Sequence, residues 1–238
     1  MRIFLKNILA GLCLALAVAA PGAAQGVDRA PQPDARIIAI GDSLMSWNTL
    51  SGHSIPQVVA RALKEPVESR AVSGAHMIYN LPMTGAMGMR ISSQFGRDAP
   101  DWVVMTGGGN DLWLGCGCSR CQRRMDRMVS ADGRSGEVPK LVKRIRATGA
   151  QVVFVGYLRS PGWNSVIDGC RNEGDAFEAR LNVMARQIEG VHFLSNADLV
   201  PSGDRSFHAP DGIHPSIKGS TAIGNRVAAL IRKLDPRR

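Results

Sequence analysis

Apolar runs that stop abruptly at glycine alternate along the chain with stripes of apolar residues at helical spacing. Arg36-Ile37-Ile38-Ala39-Ile40 is continuously apolar after its first residue and ends at Gly41. An uninterrupted run of this length predicts a strand buried on both faces, because a half-exposed strand would alternate. Residues 55–63 carry a helical pattern, and residues 66–72 predict a second strand. Residues 101–106 predict a third strand, stopped by Gly107-Gly108-Gly109. Val138, Leu141, Val142 and Ile145 fall at i, i+3, i+4 and i+7, one face of an amphipathic helix that Gly149 ends. A fourth strand is expected over 151–157. A helix follows with the stripe Phe177, Leu181, Met184, Ile188, and then a fifth strand over 191–194. The last helix is expected to start near Pro215, since proline suits the first helical turn, and its stripe runs through Ile223, Val227, Leu230, Ile231 and Leu234.

Strands of this kind alternating with amphipathic helices predict an α/β domain whose parallel sheet is covered on both faces. No repeat or low-complexity linker divides the stretch 36–238, so one domain is expected there. In such sheets a ligand binds beyond the carboxyl ends of the strands. Ser43 follows the first strand, Gly74 the second, Asn110 the third, and Asp211 with His214 the fifth. The topology therefore brings four separated segments to one edge.

The start of the chain changes the picture of where this domain works. Arg2 and Lys6 precede an apolar run over 8–20, and Pro21-Gly22-Ala23-Ala24-Gln25 follows. A basic start, a short apolar run and small residues form a secretory signal, and the run is too short to span a bilayer. Residues 1–24 are thus expected to be removed, with 25–35 an extended leader. A lipoprotein reading of Cys13 is rejected, because Leu12 occupies the place before it where a small residue is needed. Losing Arg2 and Lys6 takes the formal charge from +9 to +7. The basic residues are scattered apart from the end Arg237-Arg238 and the stretch 140–146, and that stretch reads as a solvated helix face rather than a nucleic-acid patch. The expectation is a periplasmic or secreted monomer with no nucleic-acid partner and no stable membrane insertion after cleavage.

The chemistry lies at the strand ends. In Gly41-Asp42-Ser43-Leu44 a serine follows a buried strand at a glycine turn. Its hydroxyl is a weak nucleophile unless a base sits within hydrogen-bond reach. Asp211-Gly212-Ile213-His214-Pro215 supplies such a base, and a carboxylate three residues earlier can hold the imidazole in the useful tautomer. Acyl transfer also needs donors aimed at the developing oxyanion. The N–H of Ser43, the N–H of Gly74 and the amide side chain of Asn110 are the three candidates. Asp42 and Asp111 are read as structural supports of the turns around Ser43 and Asn110. A phosphate-cradling role for Gly107-Gly108-Gly109 lacks the lysine that a P-loop carries.

Gly-Asp-Ser-Leu after strand one, a glycine after strand two, Gly-x-Asn-Asp after strand three and Asp-x-x-His near the end resemble the four blocks of the SGNH (GDSL) hydrolase superfamily. The resemblance spans residues 36–234, and Gly-Gly-Asn-Asp with Asp-Gly-Ile-His-Pro is most similar to its periplasmic esterase, thioesterase and lysophospholipase branch. It implies a flavodoxin-like three-layer α/β/α fold with a five-stranded parallel sheet and no cofactor or metal. It also implies Ser43 as nucleophile, Gly74 and Asn110 completing the oxyanion hole, and His214 as base backed by Asp211. The asparagine often found shortly before the second-block glycine is absent, with Ser69 and Arg70 near its place.

Beyond Cys13 the chain has Cys116, Cys118, Cys121 and Cys170. An even number in an exported chain reads as two disulfides with three possible connectivities; a Cys116–Cys118 link would strain its short loop, so Cys170 is expected to join Cys116 or Cys118. Four thiolates at this spacing also fit a closed zinc site, which an oxidising compartment disfavours. His53, His76, His192 and His208 show no metal-ligand spacing, and Trp47, Trp113 and Trp163 lie where they can line a pocket or pack under loops. The leading function is hydrolysis of acyl or acetyl esters through an acyl-enzyme on Ser43. Its alternatives are a carbohydrate O-acetylesterase and a non-catalytic envelope polysaccharide-binding domain on the same fold.

Overall fold

The computed structural model describes residues 35–162 and 165–237. The expected signal over 1–24, nearly all of the leader over 25–35, and Trp163 lie outside the described residues.

Five strands form one parallel sheet in the order β2-β1-β3-β4-β5: β1 (Ile37–Ile40), β2 (Val67–Ser69), β3 (Trp102–Met105), β4 (Gln151–Val155) and β5 (Val191–Leu194). This is the flavodoxin-like winding, in which the order reverses between β1 and β3 and opens a crevice at the carboxyl edge. Strand residues alternate between two cores. Ile38, Ile40, Val103, Met105, Val152 and Phe154 face one layer; Ile37, Trp102, Val104, Val153 and Val155 face the other. The continuous apolar runs are thus two interleaved faces of a strand covered on both sides.

The second face packs on α1 (Ser43–Ser46), α2 (Ile55–Leu63) and the last helix, through Leu44, Met45, Val59, Ile223, Val227 and Ile231. After β2 come the short turns α3 (Pro82–Thr84), a π-helical turn (Gly85–Met89) and a 3-10 turn (Ile91–Gln94). The first face is covered by α5 (Gln122–Met128), α6 (Glu137–Arg146) and α7 (Arg171–Gln187), joined by Leu112 of α4 (Gly109–Cys116). The layering is α/β/α, with α8 (Ile217–Leu234) closing the chain.

Boundaries differ from the sequence pattern at four elements: β3 is trimmed by one residue at each end, β4 ends at Val155 rather than at 157, and β2 and the last helix differ as follows. Regular β2 pairing covers only 67–69, although the N–H groups of Arg70 and Val72 still donate to Ala39 and Gly41 carbonyls. The last helix starts at Ile217 rather than at Pro215. Ser216 caps it by accepting the Gly219 N–H at 3.1 Å, while Pro215 is held in an antiparallel bridge with His208. That bridge keeps the Asp211–His214 segment a loop turned toward the sheet edge. Among the described residues no helix is long and apolar enough to cross a membrane.

Candidate active site

β1 ends at Gly41, and the chain turns sharply into α1. Gly41 has φ +145°, and a Cβ there would lie 2.6 Å from the Thr106 side chain, so only glycine lets β1 run so close past β3. Asp42 caps α1 by accepting the Leu44 N–H at 3.0 Å, which leaves Ser43 at the first helical position with its hydroxyl outward. The turn is clamped from below by buried Gln94. Its Oε1 accepts the Gly41 N–H at 2.6 Å, and its Nε2 donates to the Gly41 carbonyl at 2.9 Å.

Ser43 Oγ lies 2.9 Å from His214 Nε2, and His214 Nδ1 lies 2.6 Å from Asp211 Oδ2. The other Asp211 oxygen accepts the N–H groups of Ile213 and His214 at 2.9 and 3.0 Å. Partial burial works to raise the Asp211 pKa, but the hydrogen bonds from the His214 ring and these two amides outweigh it, and the net shift is downward. The carboxylate therefore stays charged beside the ring. Trp47 stacks on the outer face of His214, ring centroids 3.7 Å apart.

The second and third segments meet the same edge. Asn110 Nδ2 donates to the Ala75 carbonyl at 2.9 Å, leaving its second N–H for another acceptor. Asp111 accepts the N–H groups of Met77 and Ile78 at 2.8 and 3.0 Å, fixing the turn that carries Gly74 and Ala75. Burial pushes the Asp111 pKa up against these bonds. Gly74 has φ +78°, and Ser46 Oγ pairs with Ser73 Oγ at 2.8 Å, tying this turn to α1. Arg70, near the place of the missing asparagine, bonds Glu68 and both oxygens of Asp98, which anchors the end of β2. Gly74 itself does not line the cavity described next; Ser43, Asn110 and His214 do.

Sequence reasoning missed Gln94 and Tyr157. The Tyr157 hydroxyl donates to Asp42 Oδ2 and accepts the Gly109 N–H at 3.0 Å, so one phenol joins the turns of the first and third blocks. A Cβ on Gly109 would sit 2.8 Å from the Tyr157 ring, so this block needs glycine there. Burial raises the pKa of both Asp42 and Tyr157; the bond between them opposes that rise at Asp42 and, with the Asp42 charge, adds to it at Tyr157. Tyr157 follows β4 at the carboxyl edge, so the topology rule alone marks it as a site position. Buried Gln94 has no comparable signal in the sequence.

Beside Ser43 opens a cavity of about 140 Å³, with Leu44, Leu112, Trp113, Leu158, Ile167 and Phe177 among its walls. The tryptophans divide: Trp113 lines the cavity and Trp47 covers the histidine.

A model of the GDSL-like lipase/acylhydrolase family matches residues 39–222. The chain belongs to that family. As a member of the GDSL-like lipase/acylhydrolase family it is a hydrolase acting on ester bonds, and the fold agrees with those of solved SGNH-type structures. The crystal structure of TesA superposes with TM-score 0.58 at 20% identity, covering 83% of this chain and 98% of that one. A carbohydrate esterase family 2 enzyme with a carbohydrate-binding domain from Corynascus thermopiles gives 0.56 at 21%, covering 87% and 68%. An active-site mutant of a family two carbohydrate esterase from Clostridium thermocellum gives 0.57 at 18%, covering 83% and 63%. No curated protein sequence matches the chain.

The four cysteines pair as Cys116–Cys121 and Cys118–Cys170. The second link ties the loop after α4 to the start of α7, and Cys170 lines the cavity. Cross-linking positions 52 residues apart removes loop entropy from the unfolded chain worth about 4 kcal/mol. Changing both Cys118 and Cys170 to serine is therefore expected to lower unfolding free energy by up to about 4 kcal/mol in urea titrations. It is also expected to broaden chain-length preference among esters, because the wall formed by Ile167 and Cys170 loses its tether. A variant with unchanged stability and an unchanged ester profile would show that the link does not shape the entrance.

Proposed function

We propose that the chain is an exported serine esterase that hydrolyses acyl esters through an acyl-enzyme on Ser43. The observation that carries this reading is the unbroken line Ser43 Oγ, His214, Asp211 at the mouth of an apolar cavity. Ser43 Oγ attacks the acyl carbonyl while His214 Nε2 takes its proton. Negative charge then collects on the former carbonyl oxygen, where the N–H groups of Ser43 and Gly74 and the free N–H of Asn110 receive it. The imidazolium returns the proton to the departing alcohol or thiol. Water, deprotonated by the same nitrogen, then releases the acid and restores Ser43.

The cavity supports an acyl substrate longer than acetyl. An apolar space of about 150 Å³ holds one benzene molecule, so the cavity here takes about six carbons of an acyl chain. Walls of leucine, tryptophan, isoleucine and phenylalanine favour an acyl chain, while Arg159, Ser160, Arg171 and Glu178 on the same lining can meet a polar part of the substrate. The likeness to carbohydrate esterases supports a second reading, removal of O-acetyl groups from carbohydrate. Two disulfides support an exported, periplasmic or secreted location, since such links persist in oxidising compartments.

The test is hydrolysis of p-nitrophenyl esters from acetyl to hexadecanoyl, with fluorophosphonate labelling of Ser43 alongside. The expected result is stoichiometric labelling and a maximum at about four to eight carbons. Turnover confined to acetyl would favour the carbohydrate reading. No labelling and no turnover would leave a non-catalytic binding domain.

A further inference from the structure

Ser43 opens a single helical turn, and Trp47 closes it, its N–H donating to the Ser43 carbonyl at 2.8 Å. The indole of Trp47 lies flat on the imidazole of His214, with centroids 3.7 Å apart and planes 6° apart. The next residue, Asn48, adopts φ +63° and sends its side chain across to the other segment. Its Nδ2 donates to the Pro215 carbonyl at 3.0 Å and to Ser220 Oγ at 2.9 Å. Six consecutive residues thus carry the serine of the site and two holds on the segment that bears its base.

The bonds from His214 to Asp211 and Ser43 leave from the two ring nitrogens and fix the ring at its edges. With the Cβ–Cγ bond they place the ring, but small tilts out of its plane only bend these two hydrogen bonds. A parallel aromatic surface at van der Waals distance removes that motion on one side. The same surface acts electrostatically when the ring holds the serine proton, because a cation over an indole face is attracted by the ring quadrupole.

We propose that Trp47 is a positioning residue of the reaction, which fixes the plane of His214 and stabilises the imidazolium formed as Ser43 attacks. The inference rests on the serine-esterase reading of this site. Charged and titratable groups around His214 come from several elements. Asp211 lies on its own loop, Asp42 at the start of α1, His208 on the bridge to Pro215, and Arg159 with Arg171 along the shared cavity. Among the described residues only Trp47 offers the ring a stacked face.

The experiment compares the full chain with Trp47→Leu and Trp47→Phe, reading kcat and KM on the best p-nitrophenyl ester together with melting midpoints. Loss of one cation–π contact predicts a kcat lower by about 3- to 30-fold in Trp47→Leu with KM nearly unchanged, and partial recovery in Trp47→Phe. A second readout is tryptophan emission, since a protonated imidazole stacked on an indole quenches it. Trp102 also lies near a histidine, His192, so the signal is the difference between the wild-type chain and Trp47→Phe. Acid quenching in that difference, absent after His214→Gln, is expected. Wild-type kcat in Trp47→Leu, or a change confined to KM, overturns the inference. If Trp47→Leu fails to fold, Trp47→Phe kinetics and the quenching decide, and absence of quenching overturns it. Should Ser43→Ala keep full turnover, the serine mechanism itself falls, an outcome distinct from a Trp47 variant that merely behaves as wild type.

Discussion

Ser43→Ala is expected to lower kcat/KM on the preferred ester by about 10⁴- to 10⁶-fold, leaving only what substrate binding and the oxyanion donors supply. His214→Gln is expected to cost about as much, and the double variant little more, because a nucleophile and its base act as one unit. The geometry behind this is the 2.9 Å contact between Ser43 Oγ and His214 Nε2, since no other base bonds that hydroxyl among the described residues. Asp211→Asn should cost less, about 10⁴-fold, by turning one acceptor toward the ring into a donor and so favouring the wrong tautomer. The depressed Asp211 pKa takes that carboxyl out of the near-neutral pH profile. A carboxyl held below its ordinary value remains charged above about pH 4, so activity lost on acidification from pH 8 to pH 5 does not report its protonation. Initial rates across pH, with circular dichroism to verify folding, check the set. Retention of more than about one hundredth of the wild-type rate in Ser43→Ala would rule out an acyl-enzyme on that residue.

The central strands were legible because residues buried on both faces leave no room for polar alternation, as in Ile37–Ile40 and Trp102–Met105. β2 was less legible. It is an edge strand whose residues are all half-buried, so Glu68 and Ser69 carry little apolar signal for its end. The meeting of Ser43, Asn110 and the Asp211–His214 loop followed from topology, since turns at the carboxyl ends of parallel strands share one edge. The holds on those turns were not legible. Gln94 reaches Gly41 across 53 positions, Tyr157 reaches Asp42 across 115, and Asn48 reaches Pro215 across 167. Such pairings depend on how the layers pack rather than on any local pattern. The start of α8 shows the same limit on a short scale: the preference of Pro215 for a first turn yields to the Ser216 cap and the bridge to His208. The cysteines announced two disulfides by their number, but only the approach of the α4–α5 loop to α7 chooses the pairing.

Asn110→Ala is expected to lower kcat by about 10²- to 10³-fold while KM changes little. The reason lies in where the charge appears. A ground-state carbonyl oxygen is a modest acceptor, whereas the tetrahedral oxyanion is a strong one in a cavity with apolar walls, so a donor there acts mainly on the transition state. One N–H of the amide is already committed to the Ala75 carbonyl, which holds the side chain still and leaves the other N–H for the oxyanion. Alanine removes both. The lost bond to Ala75 adds a structural cost of about 1 kcal/mol, visible as a lower unfolding midpoint. Asn110→Asp separates the two effects: it keeps the size of the side chain but replaces both N–H groups with acceptors, facing the oxyanion with negative charge. Its kcat should therefore fall at least as far as that of the alanine variant. A kcat loss in Asn110→Ala that tracks only its stability loss, with Asn110→Asp near wild type, would mean that Asn110 holds the Ala75 turn and does not touch the reacting oxygen.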